Sequence, residues 1–350
     1  MSVLKIGIIG CGKIARVRHA PEYHENKNCA ISAWYDFDGE RARELAEQYG
    51  GAVYDSVEAL LKSDLDAVSV CVANNDHAAV TIQALQAGCH VLCEKPMATS
   101  LEECLQMIAA ADKAGKRLMI GHNQRFAKAH AEARRLIESG EIGRVLAFHT
   151  TFAHPGPEGW TGQKYSWFYD KSRAMFGALG DLGIHKTDLI HYLLGESIVD
   201  VSAMMGALDK TYPDGTPINV EDNALCLYRT ESGALGQMHV SWTNYGEESN
   251  ATKIYGTKGA LRLYDDPEYS LVFEKRDGEI IRMKLDELTS NKKQTEGRRT
   301  GTGVIDAFVN AVLTQEPSII DAKEALKAMR VVFAADEAAR EKRVAYADHT

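Results

Sequence analysis

The chain has no apolar run approaching the roughly 20 residues that a bilayer-spanning helix needs, and no dense block of Lys and Arg; its formal net charge is -9 over 350 residues. The first absence removes a membrane-spanning reading. The second, with the acidic balance, removes a phosphate-backbone partner such as nucleic acid. C-x-x-C pairing is missing as well. The seven cysteines (Cys11, Cys29, Cys71, Cys89, Cys93, Cys104 and Cys226) are odd in number and lie mostly in apolar runs. That is the pattern of reduced core thiols in a cytoplasmic protein, and it gives no structural zinc site. The opening MSVLKIGIIG lacks a charged leader and a small-residue cleavage site, so a strand is expected there in place of an export signal. No internal repeat and no low-complexity segment is present.

What is there is an ordinary globular composition, 45% hydrophobic and 25% charged, on a chain long enough for two domains. The first third alternates short β-rich runs (VLKIGII, AISAWYD, DAVSVCV, HVLCE, RLMIG) with helical segments such as GERARELAEQYG and AAVTIQALQAG. This alternation predicts parallel strands with crossover helices on both faces of the sheet. Gly50, Gly88 and Gly115 stand where helices should stop, and Ser100 to Glu103 (SLEE) matches a capping box. Beyond Asn123 the pattern changes. One helix, AHAEARRLIESG, leads through RVLAFHTTF to a Gly, Pro and aromatic-rich loop, AHPGPEGWTGQKYSWFYDKS, and then to GDLGIHKTDLIHYLLG, helical by the spacing of Leu182, Leu189, Tyr192 and Leu193. Strand-like runs with only loops between them follow, and two helices close the chain. The expected architecture is α/β: an N-terminal Rossmann doubly wound parallel sheet over residues 1–123, and a C-terminal α+β domain with a large open, mainly antiparallel sheet over 124–350.

The first strand runs into G-x-G-x-x-A, with Gly10, Gly12 and Ala15 at the start of a helix. In such a loop the first glycine permits a tight turn, the second admits a pyrophosphate to the backbone amides, and the small third residue lets helix pack on strand. Gly10, Gly12, Lys13 and Ile14 are therefore candidate cofactor contacts. Asp36 ends the second strand roughly 20 residues on, where a carboxylate accepts from the adenosine ribose hydroxyls. Phe37 and Asp38 follow it, with no arginine, so NAD is expected ahead of NADP. Asp38 alternatively fits the N-cap of the helix that begins near Glu40.

The run HVLCEKP carries Glu94 and Lys95 to the carboxyl end of its strand, where ligands sit in doubly wound sheets. VSVCVANNDH likewise brings Asn74, Asn75 and His77 to its tip. With CEKP, NNDH, the glycine loop and GDLGIHKTDL all in place, the chain resembles the Gfo/Idh/MocA oxidoreductases over essentially its whole length; GHNQRF, ESGEIG and the closing EALKAM helix also stand in family order. The resemblance implies a catalytic Lys95 with Asp181 and His185 completing an acid/base group, a Lys95–Pro96 bond that is commonly cis, and Asn75, His77 and Glu94 on the cofactor side. It also implies a substrate contact at Asp188. Two departures stand out: Ala73-Asn74 replaces the usual Thr-Pro, and FGALG (176–180) replaces a glycine run.

Oxidising a secondary alcohol means taking its hydroxyl proton while its carbon gives up hydride, and a histidine suits the first task. Asp181 lies four residues before His185, on the same helical face, where it can orient the imidazole. A lysine can stabilise the developing alkoxide. Arg125 and Trp160, with Tyr165 and Trp167, are candidate walls for a sugar-like substrate. Lys186 and His191 read as a surface charge and a packed histidine, His239 as a sheet-face residue, and no metal motif is present. The expected activity is NAD(P)-dependent transfer of hydride to or from a sugar, sugar derivative or cyclitol. A glycosidase that oxidises transiently and a non-catalytic NAD-binding sensor are the rivals. A homodimer or homotetramer through the C-terminal sheet is what the family resemblance implies.

Overall fold

A computed structural model describes residues 3–288 and 301–347. These fall into two units, 3–123 with 301–326 and 124–288 with 327–347. The stretch 301–326 thus leaves the expected 124–350 block. Its anchors are local to the first unit: Asn26 donates to Asp306 (2.7 Å), Thr302 donates to Glu22 through both its backbone N–H and its hydroxyl (3.0 Å), and Ile120 donates its N–H to the Ile320 carbonyl (3.0 Å).

In the first unit six strands run parallel in the order β3-β2-β1-β4-β5-β6. They are β1 (Leu4–Ile9), β2 (Cys29–Tyr35), β3 (Ala52–Val53), β4 (Ala67–Val70), β5 (His90–Cys93) and β6 (Leu118–Ile120). The doubly wound arrangement expected from the alternation is the one found, and its order reverses between β1 and β4, the place where such sheets bind ligands. β4 is buried at every position because helices cover both faces. The punctuation also holds. Ser100 accepts from the Glu103 N–H (3.2 Å), while the Glu103 carboxylate reaches back to the N–H and hydroxyl of Thr99, and Gly115 ends that helix at φ 63°.

The second unit holds β7 (Val145–Ala153), β8 (Ile198–Gly206), β9 (Asn223–Thr230), β10 (Leu235–Ser241), β11 (Thr252–Gly256), β12 (Gly259–Leu263), β13 (Leu271–Lys275), β14 (Ile280–Met283) and β15 (Ala345–Tyr346). Their order is β14-β13-β12-β11-β7-β10-β9-β8-β15, antiparallel except for β7 beside β10. Alternation along β9 buries Ala224, Cys226, Tyr228 and Thr230 and leaves Leu227 and Arg229 outside, the signature of a sheet covered on one face only. The helix Ile184–Leu194 is buried at every residue from Ile184 to Leu193. Close approach at its start is possible because Gly183 has no side chain: a Cβ there would stand 3.0–3.1 Å from Leu179 and Met238.

That burial corrects one expectation. Lys186 is not a surface charge: it is fully buried, with Nζ donating to Asn250 Oδ1 at 2.8 Å. His191 is the packed histidine expected, accepting from the Ile198 N–H (3.1 Å).

Candidate active site

The nucleotide-side residues belong to the first unit. Gly10 follows β1 at φ 94°, and a Cβ there would lie 2.5 Å from the Cys71 carbonyl oxygen. Only glycine lets β1 end so close to the chain leaving β4. A Cβ at Gly12, by contrast, would meet nothing within 4 Å, so its bare backbone stands open to an approaching phosphate. Lys13 and Ile14 lead into a π-helical turn, Ala15–His19, that continues as the helix Ala20–Glu25. Asp36, just past β2, is buried; Oδ2 accepts from the Cys11 N–H (2.6 Å) and Oδ1 from the Asp38 N–H (2.9 Å). The carboxylate therefore braces the glycine loop. Asp38 caps the next helix, accepting from the Glu40 N–H.

At the tip of β5 the Glu94 carboxylate is 8% exposed and sits 2.9 Å from His19 Nε2, with its second oxygen accepting from the Lys95 N–H (3.2 Å). His19 Nδ1 lies 3.0 Å from Ser69 Oγ, which in turn meets the Tyr23 hydroxyl at 2.7 Å. Burial pushes the Glu94 carboxyl up; the His19 hydrogen bond and the charges of His19, Arg18 and Lys95 outweigh it and bring the group down to about 2. The result is a fixed anion behind Lys95, itself half-buried and joined to Pro96 by a cis bond. His77 is buried too: Nδ1 donates to the Pro96 carbonyl (2.7 Å), and Nε2 lies 3.2 Å from the Val72 carbonyl. Its position is that of a tie between the ends of β4 and β5. Asn75 is exposed, beside Asp76.

The residues expected to form the acid–base group belong to the second unit. A second π-helical turn, Leu179–Gly183, holds Asp181 and runs directly into the helix Ile184–Leu194 that carries His185. π turns mark functional positions disproportionately, and this chain places one under the glycine loop and one under Asp181. Asp181 Oδ2 accepts from the indole N–H of Trp242 (3.2 Å). The His185 ring packs 6.1 Å from Phe152, with 8% of its surface exposed. Asp188 is paired with the other expected substrate contact, Arg125. Its two oxygens accept from Arg125 Nε and Nη2 at 2.8 and 2.7 Å, with the pair 1% and 4% exposed. The two expected substrate contacts thus form a bidentate ion pair with each other.

Trp160 is half-exposed and stands edge-on to Phe168 (6.4 Å), which stacks on Trp167 (4.1 Å) and meets Trp242 edge-on (6.3 Å). The aromatic loop therefore packs against the residue that donates to Asp181. It is tied down by Lys210, which donates to the Pro155 carbonyl (2.6 Å) and to Glu158, the latter also accepting from the Tyr169 hydroxyl. Sequence reasoning missed His19 and Trp242. Trp242 lies in a strand-like run and His19 inside a helix, each indistinguishable by local pattern from a core residue.

Comparison with known proteins gives the family. Residues 4–122 match the model of an oxidoreductase family with an NAD-binding Rossmann fold, and residues 130–262 match the GFO/IDH/MocA C-terminal domain. The D-glucoside 3-dehydrogenase of Escherichia coli (strain K12) is 28% identical over 347 residues, covering 95% of this chain and 94% of the relative. The myo-inositol 2-dehydrogenase of Thermotoga maritima is 26% identical over 343 residues, 97% of each chain. Among solved structures, an oxidoreductase domain protein from Kribbella flavida superposes with a TM-score of 0.86 at 26% identity, over 99% of both chains.

Proposed function

Because the chain belongs to the Gfo/Idh/MocA oxidoreductase family and carries its NAD-binding Rossmann domain, we propose that it transfers hydride between NAD and a secondary alcohol of a sugar, sugar derivative or cyclitol. The observation that carries the reading is the Asp181–Trp242 hydrogen bond one turn ahead of His185, which prepares an acid–base pair that a pure nucleotide binder has no use for. Bound NAD supplies the hydride acceptor. Its pyrophosphate fits the open backbone at Gly12, beside Lys13 and Ile14, and its adenosine ribose fits the Asp36 carboxylate, which also disfavours a 2'-phosphate. In the oxidative direction His185 takes the hydroxyl proton, with Asp181 holding the imidazole and sharing its charge. Lys95 stabilises the alkoxide as it forms, its position backed by the Glu94 anion. Asn75 and His77 serve the nicotinamide side. Arg125 and Asp188 shape the substrate face as a neutralised pair, and Trp160 offers an aromatic wall.

The open sheet face is where a second copy docks in this reading: Met204, Leu227 and Leu235 are 73%, 57% and 58% exposed there. Sedimentation as a monomer at micromolar concentration would remove that part of the proposal. Among the described residues no helix is long and apolar enough to cross a membrane, and seven buried cysteines, none in a disulfide, favour a reducing cytoplasmic setting.

The test is absorbance at 340 nm with NAD or NADP and a panel of glucosides, aldoses, their lactones, cyclitols and sugar phosphates. We expect one class to reduce NAD. Cleavage of a glycoside with no net NADH would replace the dehydrogenase with a glycosidase, and tight NAD binding with silence across the panel would leave a sensor.

A further inference from the structure

We propose that Glu221, Asp222 and Trp242 form a positioning clamp that fixes the Asp181 carboxylate for proton transfer; the inference rests on the acid–base reading of Asp181 and His185. Glu221 and Asp222 sit in the connection between β8 and β9, some 40 residues from the helix they serve. The first N–H groups of a helix have no partner within it, and here the donors leading into the turn that carries Asp181 all go to one residue. Glu221 Oε1 accepts from the Gly177 and Leu179 N–H groups (2.8 and 2.9 Å), and the Glu221 carbonyl accepts from Ala178 (2.8 Å). The fit admits no side chain at Gly177, where a Cβ would stand 1.9 Å from the Glu221 carbonyl oxygen. Gly177 then accepts from the Asp181 N–H (2.9 Å), passing the constraint to the catalytic aspartate.

Asp222 holds the other end. Its carboxylate is fully buried and accepts from the N–H groups of Leu208, Asp209 and Lys210, all at 2.8 Å, which fixes the connection itself. Its carbonyl accepts from the Trp242 N–H (2.8 Å), and the Trp242 indole donates to Asp181 Oδ2. One dipeptide therefore sets both the backbone before Asp181 and the side chain that orients its carboxylate. The Glu221 carboxyl is pushed up to about 7, by burial first and by the Asp336 charge, against the pull of its backbone donors. Its function as an acceptor survives protonation, because the carbonyl oxygen keeps its lone pairs.

Substituting Trp242→Phe keeps an aromatic six-membered ring and removes the indole N–H together with the rest of the five-membered ring. We expect kcat to fall about tenfold or more while KM and the NAD dissociation constant stay within about threefold, the effect of misaligning a proton-transfer group. Glu221→Ala should show the same split, and Glu221→Gln, which retains an oxygen for Gly177 and Leu179, should recover kcat to within a few fold. Wild-type kcat in both Trp242→Phe and Glu221→Ala would overturn the clamp, as would a Glu221→Gln variant that is folded and no better than Glu221→Ala. Asp181→Asn, measured alongside, separates the two levels: unchanged turnover there sinks the acid–base reading itself, whereas its loss beside unaffected clamp variants sinks only the clamp.

Discussion

Replacing Lys186 by methionine should stabilise the second unit, and the gain should shrink as pH rises. The ammonium is fully buried and has one hydrogen-bond partner, Asn250, with no carboxylate in ion-pair reach among the described residues. The carboxylate two residues on, Asp188, is taken by Arg125. Burial lowers Lys186 from the usual 10.5 to about 7. At about 1.4 kcal/mol for each tenfold change, keeping this group folded at neutral pH costs on the order of 4–5 kcal/mol. Methionine has nearly the same length and no charge to desolvate. It forfeits the charge-assisted Asn250 bond, worth about 2 kcal/mol, so the expected net gain is about 2–3 kcal/mol. For a domain of this size that is about 5–10 °C in Tm. Because the folded value is depressed, the unfolded chain binds more protons between pH 7 and 10.5, and wild-type stability rises across that window. The penalty is fully present below about 7 and lost as pH climbs toward 10.5. Thermal melts of both proteins at pH 6.5, 7, 8 and 9 should show the Lys186→Met advantage closing by about pH 9. A gap independent of pH, or a variant less stable than wild type at pH 7, would refute the view that this lysine is buried without charge compensation.

Two further outcomes follow from the nucleotide half. Lys95→Ala should leave the NAD dissociation constant within a few fold and cost at least about a hundredfold in turnover, the scale of one acid/base group; titration calorimetry with steady-state kinetics checks it, and unchanged turnover removes Lys95 from the mechanism. Asp36→Ala should weaken NAD more than NADP in fluorescence titrations, while also loosening the glycine loop it braces through Cys11. Equal losses for the two nucleotides would place the ribose contact elsewhere.

Features that a few adjacent residues decide were legible in the sequence. A glycine that must adopt φ 94° beside a neighbouring carbonyl, a serine that caps a helix three residues ahead, and apolar runs alternating with helical periods are each set by local sterics and hydrogen bonding. They determined the parallel sheet, the nucleotide loop, the Lys95 strand tip and the helix under His185. Tertiary structure alone decided which distant groups meet. Trp242 donates to Asp181 across 61 residues and His19 reaches Glu94 across 75. Arg125 takes the Asp188 carboxylate, and Lys186, a residue type suited to water, is buried because the helix around it packs on every side. Such partners carry no periodic or turn-forming signal. They are selected by the burial energy of whole elements, against which one residue's preference for solvent is a small term.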